Sequence, residues 1–76
     1  MKELVEVIAK ALVDHPEEVR VTEEQSGKTL IVRLSVARSD MGKVIGKQGR
    51  IAKSIRAVVK AAAMREDMKV LVDIDD

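Results

Sequence analysis

The sequence predicts an α+β domain in which three helices cover one face of a three-stranded sheet, in the order α-β-β-α-α-β, as in a two-layer fold. Three observations lead there. The apolar period is close to 3.6 at the start of the chain and again after residue 40. It drops to two in the stretch between and at the end. Glycines sit at two of the junctions, one between strands and one between helices. The length of 76 residues allows one small domain, residues 1–76, and excludes two.

Leu4, Val5, Ile8, Ala11 and Leu12 recur at i, i+3, i+4, i+7 spacing with Glu3, Glu6 and Lys10 between them, which predicts an amphipathic helix over 2–13. Pro16 closes it and places His15 at the helix exit. Val19 and Val21 then alternate with Arg20 and Thr22. After the polar Gln25-Ser26-Gly27-Lys28 turn, Leu30, Val32, Leu34 and Val36 alternate with Ile31, Arg33, Ser35 and Ala37. That is a β-hairpin, with Gly27 supplying a positive φ. The second strand is aliphatic on both faces and is expected nearer the middle of the sheet. Ser39 and Asp40 are N-cap candidates for a short helix, Met41 to Ile45, which Gly46 interrupts. A second helix runs from Arg50 to Arg65, with Ile51, Ile55, Val58, Val59 and Ala62 along one stripe and Arg50, Lys53, Arg56 and Lys60 on the other side. Met68, Val70, Val72 and Ile74 form a third strand, which joins either edge of the hairpin after a helical crossover.

Composition removes several kinds of chemistry. Phe, Tyr and Trp are absent, so the core is built from Val, Leu, Ile, Ala and Met. No cysteine is present, which excludes disulfides, thiolate metal sites and cysteine nucleophiles. His15 is the only histidine, so no histidine pair can hold zinc, and neither a metal nor a cofactor is expected. The first 13 residues mix charges among the aliphatics, unlike a signal peptide, and no apolar run approaches the roughly 18 residues of a membrane span. A soluble cytoplasmic protein without membrane contact is expected.

Net charge is only +1, but its distribution is uneven. Residues 41–65 carry seven basic side chains and no acid, between two acidic flanks. Within this block, Gly46 and Gly49 flank two polar residues at the junction of the two helices. Glycine there permits a tight turn and a close approach of the backbone to a ligand. The following helix N-terminus, with Lys43, Lys47, Arg50 and Lys53 and the amide of Gln48, makes phosphate the favoured ligand. The spacing fits neither a Walker A loop, which needs four residues between its glycines and then Lys-Ser or Lys-Thr, nor the dinucleotide G-x-G-x-x-G fingerprint. A Gly42-x-x-x-Gly46 packing motif belongs to membrane spans. The bland alternative is a helix corner with a glycine C-cap at Gly46.

The stretch Val44-Ile45-Gly46-Lys47-Gln48-Gly49-Arg50 resembles the I-G-x-x-G signature of the KH domain, and the element order is similar to its prokaryotic type II form. The match covers nearly the whole chain and resembles the small bacterial KhpA family. That resemblance implies an RNA-binding protein of the cytoplasm, an RNA chaperone that pairs with a second KH protein, KhpB, and affects cell elongation and envelope homeostasis. It implies that Gly46, Lys47, Gln48 and Gly49 clamp the backbone of about four single-stranded nucleotides. Beside them lies an aliphatic groove with Val44, Ile45 and Ile51 in its floor and walls, joined by Ile31 or Arg33. Three residues after Gly49 stands Ala52, where many KH domains carry a larger aliphatic. Without aromatics the chain cannot stack bases as many single-strand binders do, so one copy is expected to bind weakly and to act paired with a second copy or a partner.

Two other readings compete. In one, the glycine loop and Ala61 to Ala63 form a dimer surface and the partner makes the main RNA contact. In the other the chain is an enzyme, but its serines have no base beyond His15, at the far end of the first helix by sequence, and no enzymatic activity is expected.

Overall fold

A computed structural model gives the fold for residues 1–75. The side chains of Lys47, Gln48 and Asp75, and all of Asp76, lie outside the described residues. Helix α1 spans Lys2–Leu12 and is followed by one 3₁₀ turn at Pro16–Glu18, with Pro16 at its first position, where the missing N–H costs nothing. Strands β1 (Arg20–Ser26) and β2 (Thr29–Ser35) form the hairpin. Gly27 takes a φ of +61° at the first central residue of the turn, the pattern of a type II′ hairpin. Helix α2 covers Arg38–Arg65, and β3 covers Lys69–Asp75.

The sheet order is β1-β2-β3, with β2 antiparallel to β1 and parallel to β3. The edge left open by the sequence is therefore the β2 edge. Its aliphatic-rich β2 is the central strand, and a parallel partner requires the long crossover that α2 provides. Leu30, Val32 and Leu34 point to the helical layer along with Val21 of β1. They close a core with Val5 and Ala9 of α1 and with Val44, Ala52, Ile55 and Val59 of α2. Ile31, Arg33 and Leu71 lie on the opposite, open face, where Arg33 pairs with Glu24 at 3.1 Å.

Helical assignment runs through α2 without a gap, yet Gly49 has a φ of +66° in the middle of it. The two helices expected from sequence are thus two arms joined at a single left-handed residue: a first arm over 38–48 and a second over 50–65. The break falls at Gly49. Gly46, expected to interrupt the helix, lies within it without a positive φ. The turn at Gly49 also resets the phase of the second arm, which buries Ala52, Ile55, Val59 and Ala63 at intervals of three and four, whereas Val58 is 42% exposed.

The N-cap of α2 is Ala37, not Ser39 or Asp40. Asp40 sits in the first turn, where a carboxylate favours the helix dipole, and is only 1% exposed. Its two oxygens accept the backbone N–H groups of Asp14 and His15, each at 3.0 Å. One carboxylate thereby ties the exit of α1 to the start of the helix that carries the glycine loop. Burial pushes this carboxyl towards its neutral form. The two N–H donors, with His15 and Lys43 nearby, outweigh that and hold its pKa below the ordinary Asp value.

Candidate nucleic-acid interface

Gly49 adopts a backbone conformation that favours glycine, and among the described residues nothing lies within 4 Å of the point where a Cβ would stand at Gly46 or at Gly49. Among the described residues neither glycine is therefore needed to admit a neighbouring side chain. Both leave the backbone open to an incoming group. The second arm starts at once after Gly49, so its first turn lies beside the same opening.

Beside the loop lies a groove of about 380 Å³. The helical side contributes Ile45, Gly49, Ala52, Lys53 and Arg56, and β3 contributes Asp73 and Ile74. A second, more apolar cavity of about 510 Å³ continues along the same strand towards the end of α2, and Arg56 borders both. The two share a physical origin. As an edge strand, β3 has main-chain groups without partners, and because the Lys69 N–H bonds to the Lys28 carbonyl at 3.0 Å, those of Val70, Val72 and Ile74 point away from β2. The trough therefore has an apolar floor, a row of backbone donors and acceptors on one wall and helix α2 on the other.

Lys53, Arg56 and Lys60 stand at i, i+3 and i+7 along that helical wall. Among the described residues none of them, nor Arg50, forms an ion pair. Their positive charge stays available to phosphate.

Of the residues singled out from sequence, the structure brings Ile45, Gly49 and Lys53 together in the groove, with Gly46 one turn before the break and Arg50 exposed just after it. Ile45 is 50% exposed. Lys47 and Gln48 were singled out too, and their side chains lie outside the described residues. Five placements differ. Val44 is a core residue with 0% exposure, because the first arm turns that side chain onto the sheet. Ile51 packs partly buried against the core and lines neither cavity. Lys43 reaches Asp14 at 3.2 Å and is held at the α1 exit, away from the groove. Ile31 and Arg33 of β2 also lie off the groove, on the open face of the sheet.

Sequence reasoning missed Arg56 and Lys60 as groove residues, and with them Asp73 and Ile74. The cations were legible as a helical stripe, but only the pairing of β3 beside β2 shows that the stripe overlooks a trough. Among the described residues, His15, Glu17 and Glu18 bring ligand atoms within 4.8 Å of one another, but all three are exposed, an arrangement common without a metal. Among the described residues no helix is long and apolar enough to cross a membrane.

The family model described as "KhpA/KhpB, KH domain" matches residues 2–74. The chain is similar to the RNA-binding protein KhpA of Clostridium perfringens, 64% identical over 74 residues that cover 97% of this chain and 99% of that one. It is 59% identical to the RNA-binding protein KhpA of Halalkalibacterium halodurans over 76 residues, the full length of both. With the RNA-binding protein KhpA of Chlamydia pneumoniae identity is 49% over 74 residues, covering 97% of this chain and 95% of that one. No solved structure gives a significant match. These relatives are named as RNA-binding proteins rather than as enzymes. With its element order, its glycine loop and matches that run nearly end to end, the chain belongs to the KhpA/KhpB KH-domain family.

Proposed function

We propose that this chain binds single-stranded RNA, with the phosphate backbone held at Gly46 to Gly49 and along Lys53, Arg56 and Lys60, and with the bases in the trough beside β3. The observation that carries this reading is the open backbone at Gly46 and Gly49, set beside a groove whose cations have no partner among the described residues. Binding is through backbone clamping and shallow apolar contact, because there is no aromatic to stack on. One domain is accordingly a weak binder, and the chain works in the cytoplasm paired with a KhpB-like KH protein or a second copy. As an RNA chaperone of this kind it acts on transcripts that bear on cell elongation and the envelope.

Crosslinking of the intact chain to cellular RNA, with and without Gly46→Asp, tests the proposal. Wild type crosslinks and the variant does not, while both keep the same far-UV CD spectrum. Equal crosslinking by the two proteins removes the glycine loop from the interface.

A second reading has its own observation: Val58 is 42% exposed on the second arm, beside exposed Ala57 and Ala61, which suits a helix-mediated contact with a partner. If the purified chain crosslinks no RNA until a partner is added, this face is its main working surface.

A further inference from the structure

The far end of the trough holds more apolar surface than a backbone clamp requires. Ala63, Met64 and Met68 line it from the end of α2, and Val70, Leu71 and Val72 line it from β3. Met64 is 75% exposed there. The cavity is built by the way α2 ends. The Met68 N–H bonds back to the Ala63 carbonyl at 3.1 Å, and Asp67 takes a φ of +52°, a Schellman turn that folds Met68 over the last helical turn. Methionines make an adaptable surface that accepts planar groups of different shape. Around it stand Arg56, Lys60 and Lys69, so whatever enters carries negative charge next to an apolar body.

We propose that this end of the trough seats an unstacked nucleobase of the same RNA strand, beyond the nucleotides held at the glycine loop, so that the RNA footprint of one domain exceeds four nucleotides. The inference rests on the RNA-binding reading above and extends it. Two observations favour RNA as the occupant. Arg56 borders both cavities, so a strand leaving the glycine loop along β3 enters the second one without a gap. Lys53, Arg56 and Lys60 then follow its phosphates at successive turns of one helix face, while the outward backbone groups of Val70 and Val72 meet base edges. The seven residues of β3 span about 20 Å, the length over which this holds.

The experiment measures the affinity of the intact chain for labelled single-stranded RNA of mixed sequence, four and eight nucleotides long, and for octamers of one sequence carrying an abasic site at each position in turn. The octamer is expected to bind about five- to tenfold more tightly than the tetramer, beyond the roughly fivefold gain that its overlapping four-nucleotide registers give by statistics alone. At least one position outside the four most sensitive ones should lose affinity when its base is removed. Met64→Glu should abolish that extra sensitivity, since it places an acid in the pocket. The abasic series on wild type gives the answer even if the variant does not fold. An octamer advantage no larger than that statistical factor overturns the proposal. So does an octamer advantage that no abasic site outside the four reduces, which assigns the gain to phosphate contacts alone. If Met64→Glu leaves the abasic profile unchanged but turns a sedimenting dimer into a monomer, the pocket belongs to a second copy and the proposal falls. Failure of every RNA to bind removes the RNA-binding reading itself, a result distinct from tetramer binding without a length effect.

Discussion

Gly46 and Gly49 are three residues apart in one helical segment, but they tolerate substitution differently. Gly46 has helical surroundings and open space where a Cβ would stand, so Gly46→Asp should change stability by no more than about 0.5 kcal/mol. Gly49 has a φ of +66°, and an aspartate there should cost about 1–2 kcal/mol. Urea melts of the two variants should separate them, with RNA affinity falling at least about tenfold in both, about 1.4 kcal/mol of binding. A Gly46→Asp protein that melts well below wild type shows that this glycine supports the fold instead. The spacing of the pair was legible in sequence because glycine is rare in helices. Which of the two turns the chain was not, because helical hydrogen bonding can pass through a glycine.

Asp40 gives a second prediction at the same scale. Its pKa in the fold lies below the ordinary Asp value of about 3.9. The unfolded chain therefore takes up the proton first as pH falls. The carboxylate's contribution to stability is complete above that ordinary value and is lost as pH falls through the folded pKa. The melting temperature of wild type should drop across this acid range, and that of Asp40→Asn should start lower and drop less. Parallel curves for the two proteins would mean that the buried carboxylate does not titrate with unfolding. In the sequence Asp40 reads as an N-cap. Its real partners are 25 and 26 residues away, and local spacing carries no trace of them.

At the scale of elements, the end of α2 stores strain at a position of known chemistry. Asp67 is the only described residue other than glycine with a positive φ. Its N–H-bonded neighbour Met68 completes the Schellman turn, for which glycine is the preferred residue at this position. Asp67→Gly should therefore stabilise the fold by about 0.5–1 kcal/mol, seen as a higher urea midpoint with an unchanged m-value. A lower midpoint would show that the side chain makes a stabilising contact. The Glu66-Asp67 break was visible as an end to the apolar pattern, and the alternation on either side gave the helix and the strand. The order β1-β2-β3 was not visible. Val70, Val72 and Ile74 would cover a core face at either edge of the hairpin, and only the packing of α2 across the sheet selects the edge beside β2.

The whole molecule separates its charge by surface. Seven cations and no acid lie between residues 41 and 65, a block that the sequence displays directly. Folding divides it. Lys43 pairs with Asp14 at 3.2 Å, whereas among the described residues Arg50, Lys53, Arg56 and Lys60, on or beside the trough, form no ion pair. RNA binding should accordingly weaken with salt in proportion to the phosphates these four engage. For single strands the slope of log K against log salt is about −0.7 per phosphate, so four contacts give a slope near −3. Arg56→Ala should reduce that slope by about 0.7 and weaken binding to all sequences alike, since a phosphate contact carries no base information. Lys43→Ala should leave the slope unchanged, because its charge is already paired. Titrations of the three proteins between 50 and 200 mM salt, roughly the range in which such slopes develop, decide the matter. Equal slopes for Arg56→Ala and wild type would remove the helical stripe from the phosphate path and leave the glycine loop as the whole of the electrostatic contact.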